Sequence, residues 1–179
     1  MKSIKTFLIF ILVASIAAGC SPSGPQKPVV IDETGNTETI VETMAIDSVW
    51  AGHPVDFCLL THENRQYIAY YNAHRNMVVG QRNLNDPSFQ LHIMPATAYE
   101  THGGTSTVLG WDSHNSVTLG IDKEGYLHLA GNMHVNPLTY FRSQKPDDIS
   151  SLEQVTEMVG TEETRCTYPV FMNDRQGEL

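Results

Sequence analysis

The sequence predicts an all-β fold of repeated four-stranded units, the blades of a β-propeller, on three observations. After residue 45 few windows show helical periodicity, and short alternating or apolar runs recur between Asn, Asp and Gly turns instead. Those runs lie over one another as an internal repeat. QYIAYYNAH (66–74) lies over YLHLAGNMH (126–134), with Asn72 over Asn132 and His74 over His134. VFMNDRQGEL (170–179) lies over TLGIDKEGYL (118–127), with Asp174 over Asp122 and Gly177 over Gly125. Finally, each repeat is about 50–60 residues long and holds four short strands, which suits a propeller blade. A β-sandwich whose hairpins are alike by chance is the competing reading.

Residues 1–19 are read as a signal peptide outside the fold. Lys2 and Lys5 precede an apolar run over 7–18, a stretch too short to span a bilayer as a helix. Small residues lead directly into Cys20, and a Ser/Pro/Gly stretch follows. That layout resembles a bacterial lipobox, so lipidation of Cys20 is expected to anchor a soluble domain at the cell envelope. If Cys20 is not lipidated, the protein is secreted. Residues 20–45 read as a tether with one strand over 29–31. The propeller part is expected over 46–179.

Within it the predicted strands are 56–61, 66–71, 77–81 and 89–93 in the first repeat. The second holds 116–121, 126–130, 138–142 and 154–158, and a third opens at 169–172. Asp-x-x-Gly at 122–125 and again at 174–177 suits a tight turn, with Asp bonding the backbone and Gly taking positive φ. About two and a half repeats are present, whereas a ring takes about four to eight blades. The sequence therefore reads as the N-terminal part of a longer propeller.

The net charge is −9, and without the two signal lysines it nears −11. No basic run exists, so nucleic acid is not an expected partner. An acidic protein that binds a polyanion needs local cations or imidazoles in its cleft. Cys58 and Cys166, the cysteines besides Cys20, either pair or stay free. No C-x-x-C is present, and hence no zinc ribbon.

In a blade the first strand lines the central channel and the second returns beside it, so the start of one and the end of the other share a rim. His114 precedes the first strand of the second repeat and His134 follows its second strand. His53 and His74 hold the equivalent places in the first repeat, and Tyr168 opens the third. One rim is thus expected to gather His53, His74, His114, His134 and Tyr168 with Asn72, Asn115 and Asn132. His128 alternates with Leu127 and Leu129 and is expected to pack between blades. A histidine cluster could hold zinc, but no H-x-x-x-H or H-E-x-x-H occurs. No metal is expected in the chemistry, and a structural ion is the remaining metal reading.

The stretch DSHNSVTLGIDKEGYLHLAGNMHVNPLTYFRS (112–143) resembles the start of the neuraminidase-like repeat family that contains the ulvan lyases of polysaccharide lyase families 24 and 25. The resemblance extends over about 50–179. It is most specific at D-S-H-N (112–115), G-N-M-H with P-L-x-Y (131–140) and T-Y-P-x-F (167–171). It implies a seven-bladed propeller that cleaves uronate-containing polysaccharide by β-elimination. It also implies that His114, His134 and Tyr168 are the active-site residues. The resemblance places the family's carboxylate-facing arginine just past Leu179. Asn115, Asn132, His74 and His53 are expected to bind substrate. Two other readings are a glycan-binding propeller without catalysis and a sialidase-type hydrolase. The hydrolase needs paired carboxylates, and Asp112 is the best rim carboxylate in view.

Overall fold

The structure is a computed structural model that describes residues 29–31, 37–40, 42–52, 54–96 and 107–179. Cys20, His53, the signal stretch 1–19 and the remaining parts of 20–45 lie outside the described residues. The chain divides into two compact units, Met1–Thr43 and Met44–Leu179. In the first, strand β1 (Val29–Ile31) pairs antiparallel with β2 (Thr37–Thr39), a short ladder where the sequence suggested one strand.

The second unit holds two four-stranded antiparallel meanders. One runs β3 (Cys58–His62), β4 (Arg65–Tyr71), β5 (Met77–Asn83), β6 (Gln90–Ile93), in that spatial order. In the other, β7 (Val117–Ile121) pairs with β8 (Leu127–Gly131), β8 with β10 (Tyr140–Ser143), and β10 with β11 (Leu152–Gln154). Between β8 and β10 the chain makes β9 (His134–Asn136), which leaves this sheet to pair with β12 (Cys166–Thr167). Each meander is one blade. Among the described residues no helix is long and apolar enough to cross a membrane.

The patterning explains the layering. VTLGI in β7 and LHLAG in β8 are near-continuous apolar runs and are buried almost throughout. CLLTH in β3 alternates, and one of its faces is exposed. Strands β3 and β4 pack against β7. The shared core joins Tyr67, Met77 and Val79 of the first blade to Leu119, Leu127, Leu129 and Phe141 of the second. Polar ties close the seam. The Tyr67 hydroxyl donates to Asp147 Oδ1 at 2.7 Å, Arg65 Nη1 donates to the Asp147 carbonyl at 2.7 Å, and Ile149 N donates to Gln81 Oε1 at 3.1 Å. Cys58 and Cys166 are both free thiols.

The predicted Asp-x-x-Gly turns recur bond for bond. Asp122 Oδ1 accepts from the N–H groups of Glu124 and Tyr126, and Asp174 Oδ1 accepts from those of Gln176 and Glu178. The glycines sit at φ +86° (Gly125) and +82° (Gly177), where an L side chain clashes with its own backbone. Gly125→Ala is therefore expected to cost about 1–2 kcal/mol, read as a lower urea midpoint at unchanged slope.

Two strand predictions need correction. The fourth strand of the second blade is 152–154 rather than 154–158. A 3₁₀ turn, Ile149–Ser151, capped by the Asp148 carboxylate, delivers the chain to β10 earlier. Residues 169–172 form no strand, because none of the described residues offers them a ladder partner. The segment instead packs Phe171 onto the second blade. A Cβ on Gly120 would come within 2.7 Å of Phe171 Cβ, so Gly120 leaves the room that this packing uses.

Candidate active site

The first site loop leads into β7. Asp112 folds back on it as an Asx turn, its Oδ1 accepting the His114 N–H at 2.9 Å, while Asn115 N donates to the Asp112 carbonyl at 3.3 Å. The second loop depends on its length. In the first blade five residues (72–76) separate the paired Tyr71 and Met77. In the second, nine residues (131–139) separate the paired Ala130 and Tyr140. That surplus lets His134–Asn136 swing out and pair with Cys166–Thr167. Val135 N donates to Thr167 Oγ1 at 2.8 Å and His134 N to Asn136 Oδ1 at 3.0 Å, which fixes His134 and carries Tyr168 to its side. Asn132, Val135 and Tyr168 all take positive φ, at 59°, 61° and 52°. For β-branched Val135 this is a true outlier. Strained backbone of this kind costs about 1–3 kcal/mol per residue and persists where surrounding bonds over-determine it.

His114, His134 and Tyr168 are brought together. The two imidazole centroids lie 4.3 Å apart at 30°. The Tyr168 ring lies 6.0 Å from His114 and 6.5 Å from His134. Asp112 joins them, with Oδ1 2.6 Å from His114 Nδ1 and Oδ2 2.6 Å from His134 Nδ1. Partial burial works against charge at Asp112. The His114 backbone N–H and the two imidazoles outweigh it and hold the carboxyl well below the usual carboxylate range. An ionised carboxylate can only accept, so each Nδ1 carries its proton toward Asp112. Both Nε2 atoms are thereby left as the ends able to take a proton.

The depressed Asp112 pKa adds stability above the ordinary value of 3.8, and that gain is lost as pH falls through the lower folded value. A carboxyl-carbon NMR titration is expected to place the Asp112 midpoint below 3.8, and His134→Ala to move it upward. An unshifted midpoint would contradict the bridged geometry.

The other predicted residues are placed differently. Asn115, next to His114 in the chain, is buried, and its Oδ1 has no protein donor among the described residues. Asn132 is also buried, and its Nδ2 donates to the Val108 carbonyl at 3.1 Å. His74 is exposed in the short turn after β4, where its N–H donates to Asn72 Oδ1. No ring contact or hydrogen bond among the described residues joins it to the cluster. His53 lies outside the described residues. His128 is packed in the second blade, 2.6 Å from the Tyr140 hydroxyl through Nδ1 and 3.3 Å from Asp122 through Nε2. Burial pushes its pKa down despite the Asp122 carboxylate.

Asp112 is the member of this cluster that sequence reasoning gave no part beside the histidines and read as a lone rim carboxylate. The available signal was D-x-H, the spacing at which an Asx turn brings a carboxylate to the histidine two residues on. Asp112, His114 and His134 also offer three ligand atoms within 4.8 Å of one another, a donor set suited to a divalent ion such as zinc. In the present arrangement those atoms are engaged with each other at hydrogen-bond length.

The sequence pattern described as "BNR repeat-containing family member" matches residues 65–179. No curated protein matches the chain. Among solved structures, one titled "Structure of a new family of Polysaccharide lyase PL25-Ulvanlyase" is similar, with a TM-score of 0.51 and 19% sequence identity. The match covers 75% of this chain and 32% of that one, so the chain spans about a third of that protein's length. At this identity the likeness is one of fold. It agrees with two successive antiparallel blades of a β-propeller-type, all-β architecture.

Proposed function

The chain belongs to the BNR repeat-containing family, and from that premise we propose that it is a polysaccharide lyase acting on a uronate-containing polymer such as ulvan. The observation that carries the reading is the Asp112 bridge, which turns two imidazoles to the same side with Tyr168 beside them. β-Elimination removes the proton at C5 of the uronate, next to its carboxylate. The electron pair left at C5 forms the C4=C5 double bond, the C4–O bond breaks, and the departing oxygen takes a proton. The reaction needs a base, an acid and hydrogen-bond donors or cations for the enolate-like intermediate.

His114 Nε2 and the Tyr168 hydroxyl are the groups assigned to the two proton transfers. His134 would hold or neutralise the substrate carboxylate, since a protonated imidazole donates from Nε2 while Nδ1 stays on Asp112. No second carboxylate among the described residues joins the cluster, and Asp112 is engaged by both rings. That arrangement disfavours a two-carboxylate hydrolase. With a lipidated Cys20 the enzyme would work at the cell envelope, which mass spectrometry of the mature N-terminus reads directly.

The test is to incubate the full-length protein with ulvan and follow the ultraviolet absorbance of the unsaturated uronate. Rising absorbance is expected. No rise on ulvan or on other uronate polymers overturns the lyase reading and leaves non-catalytic glycan binding.

A further inference from the structure

Directly before Asp112 stands Trp111, the most exposed aromatic side chain among the described residues at 75%. Its ring meets Trp50 edge to face, with centroids 5.5 Å apart at 77°. The Arg75 guanidinium sits 5.5 Å from the Trp50 ring centroid on the other blade's turn. Backbone bonds fix Arg75 and Trp50 and tie Arg75 to the segment that leads to Trp111. Arg75 N donates to the Asn72 carbonyl at 2.8 Å, Leu109 N donates to the Arg75 carbonyl at 2.8 Å, and Trp50 N donates to the Tyr71 carbonyl at 3.4 Å. Arg75 itself takes φ 67°, a left-handed conformation uncommon for a residue other than glycine.

From this we infer that Trp111, Trp50 and Arg75 form a subsite for a sugar residue bearing an anionic group, beside the sugar held at His114 and His134. It deepens the proposed function and takes from it only that the ligand is an acidic polysaccharide.

Three physical points support it. An indole left open to water is unfavourable for folding, whereas the apolar C–H face of a pyranose ring can cover it. A chain of net charge −9 repels a polyanion, so binding requires a local cation, and Arg75 has no carboxylate partner among the described residues. Trp111 is also three residues from His114, a reach of at most about 11 Å along the chain, which a neighbouring sugar of the same polymer can span. The anion is either a uronate carboxylate or a sulfate ester, both of which a guanidinium can bind through paired N–H groups.

The chain's two tryptophans both lie in this cluster, so intrinsic fluorescence reports on it directly. Full-length protein is titrated with ulvan, with desulfated ulvan and with a neutral polysaccharide, and release of unsaturated uronate is measured in parallel. Ulvan is expected to change the fluorescence, and Trp111→Ala to raise its Kd about tenfold or more, the loss of roughly one stacking contact. Arg75→Ala is expected to remove the preference for acidic over neutral polymer, and Arg75→Lys to restore part of it. Desulfated ulvan binding as tightly as ulvan assigns Arg75 to the carboxylate, and weaker binding assigns it to sulfate. Circular dichroism unchanged in Trp111→Ala keeps the comparison one of binding, as expected for so exposed a residue. Binding at these residues without release of unsaturated uronate supports the subsite while overturning the lyase. An unchanged Kd in Trp111→Ala, or no binding of ulvan by the wild type, overturns the subsite.

Discussion

If the proposed lyase chemistry holds, Asp112→Asn is expected to lower turnover on a uronate polymer about 10²–10⁴-fold, with little loss of stability. The reason is the proton inventory of the cluster. The carboxylate accepts from both Nδ1 atoms, one through each oxygen at 2.6 Å. An amide of the same shape keeps one acceptor and replaces the other with an NH₂ donor. The imidazole facing that NH₂ must then accept through Nδ1, which moves its proton to Nε2 and removes it as a base. Holding the wrong tautomer in an intact geometry costs this order of magnitude in the analogous Asp–His pairs of hydrolases. Asp112 acts through the histidines, so the informative readout is kcat falling more than KM changes, with an altered pH profile. A rate within a few-fold of wild type would remove Asp112 from the mechanism.

Phe141→Ala is expected to destabilise the second unit by about 3–5 kcal/mol. Phe141 is fully buried on β10, between its ladder partners Leu129 and Gln154, in the core that both blades share. Removing the ring forfeits its transfer free energy and leaves a cavity that ordered strands on both sides cannot close. That loss is a large part of the roughly 5–15 kcal/mol by which a typical protein is stable. Phe141→Leu, which keeps most of the volume, is expected to cost less. Denaturant unfolding checks both, and equal midpoints for Phe141→Ala and wild type would show that the blades do not share one core.

The blade pattern was legible because its determinants are local. The hairpin turn at Asp122 is built from bonds to residues two and four places on, and the one at Asp174 repeats them. A repeat in the sequence is therefore a repeat in the backbone. Strand runs such as VTLGI and LHLAG announce burial by composition, and the meander order follows from short connections. The grouping of His114, His134 and Tyr168 was also readable, as a consequence of where blade strands begin and end. The segment 169–172 was misread because a ladder needs a partner, and no local signal says whether one is present.

Sequence equivalence was a poor guide once loop length entered. His74 lies over His134 in the repeat, yet it stays in a tight turn while His134 rides a longer excursion to β12. Partners far apart in the chain were equally hidden. Asp112 meets His134 across 22 positions, and Trp50 meets Trp111 from the other blade. The sequence alone thus determined the fold class, the repeat and the chemical types on one rim, because turns and strand patterning are encoded within a few residues. Only the tertiary structure decided which histidines share a carboxylate and which indole is left exposed. Those outcomes depend on register and loop length acting between segments that no local pattern connects.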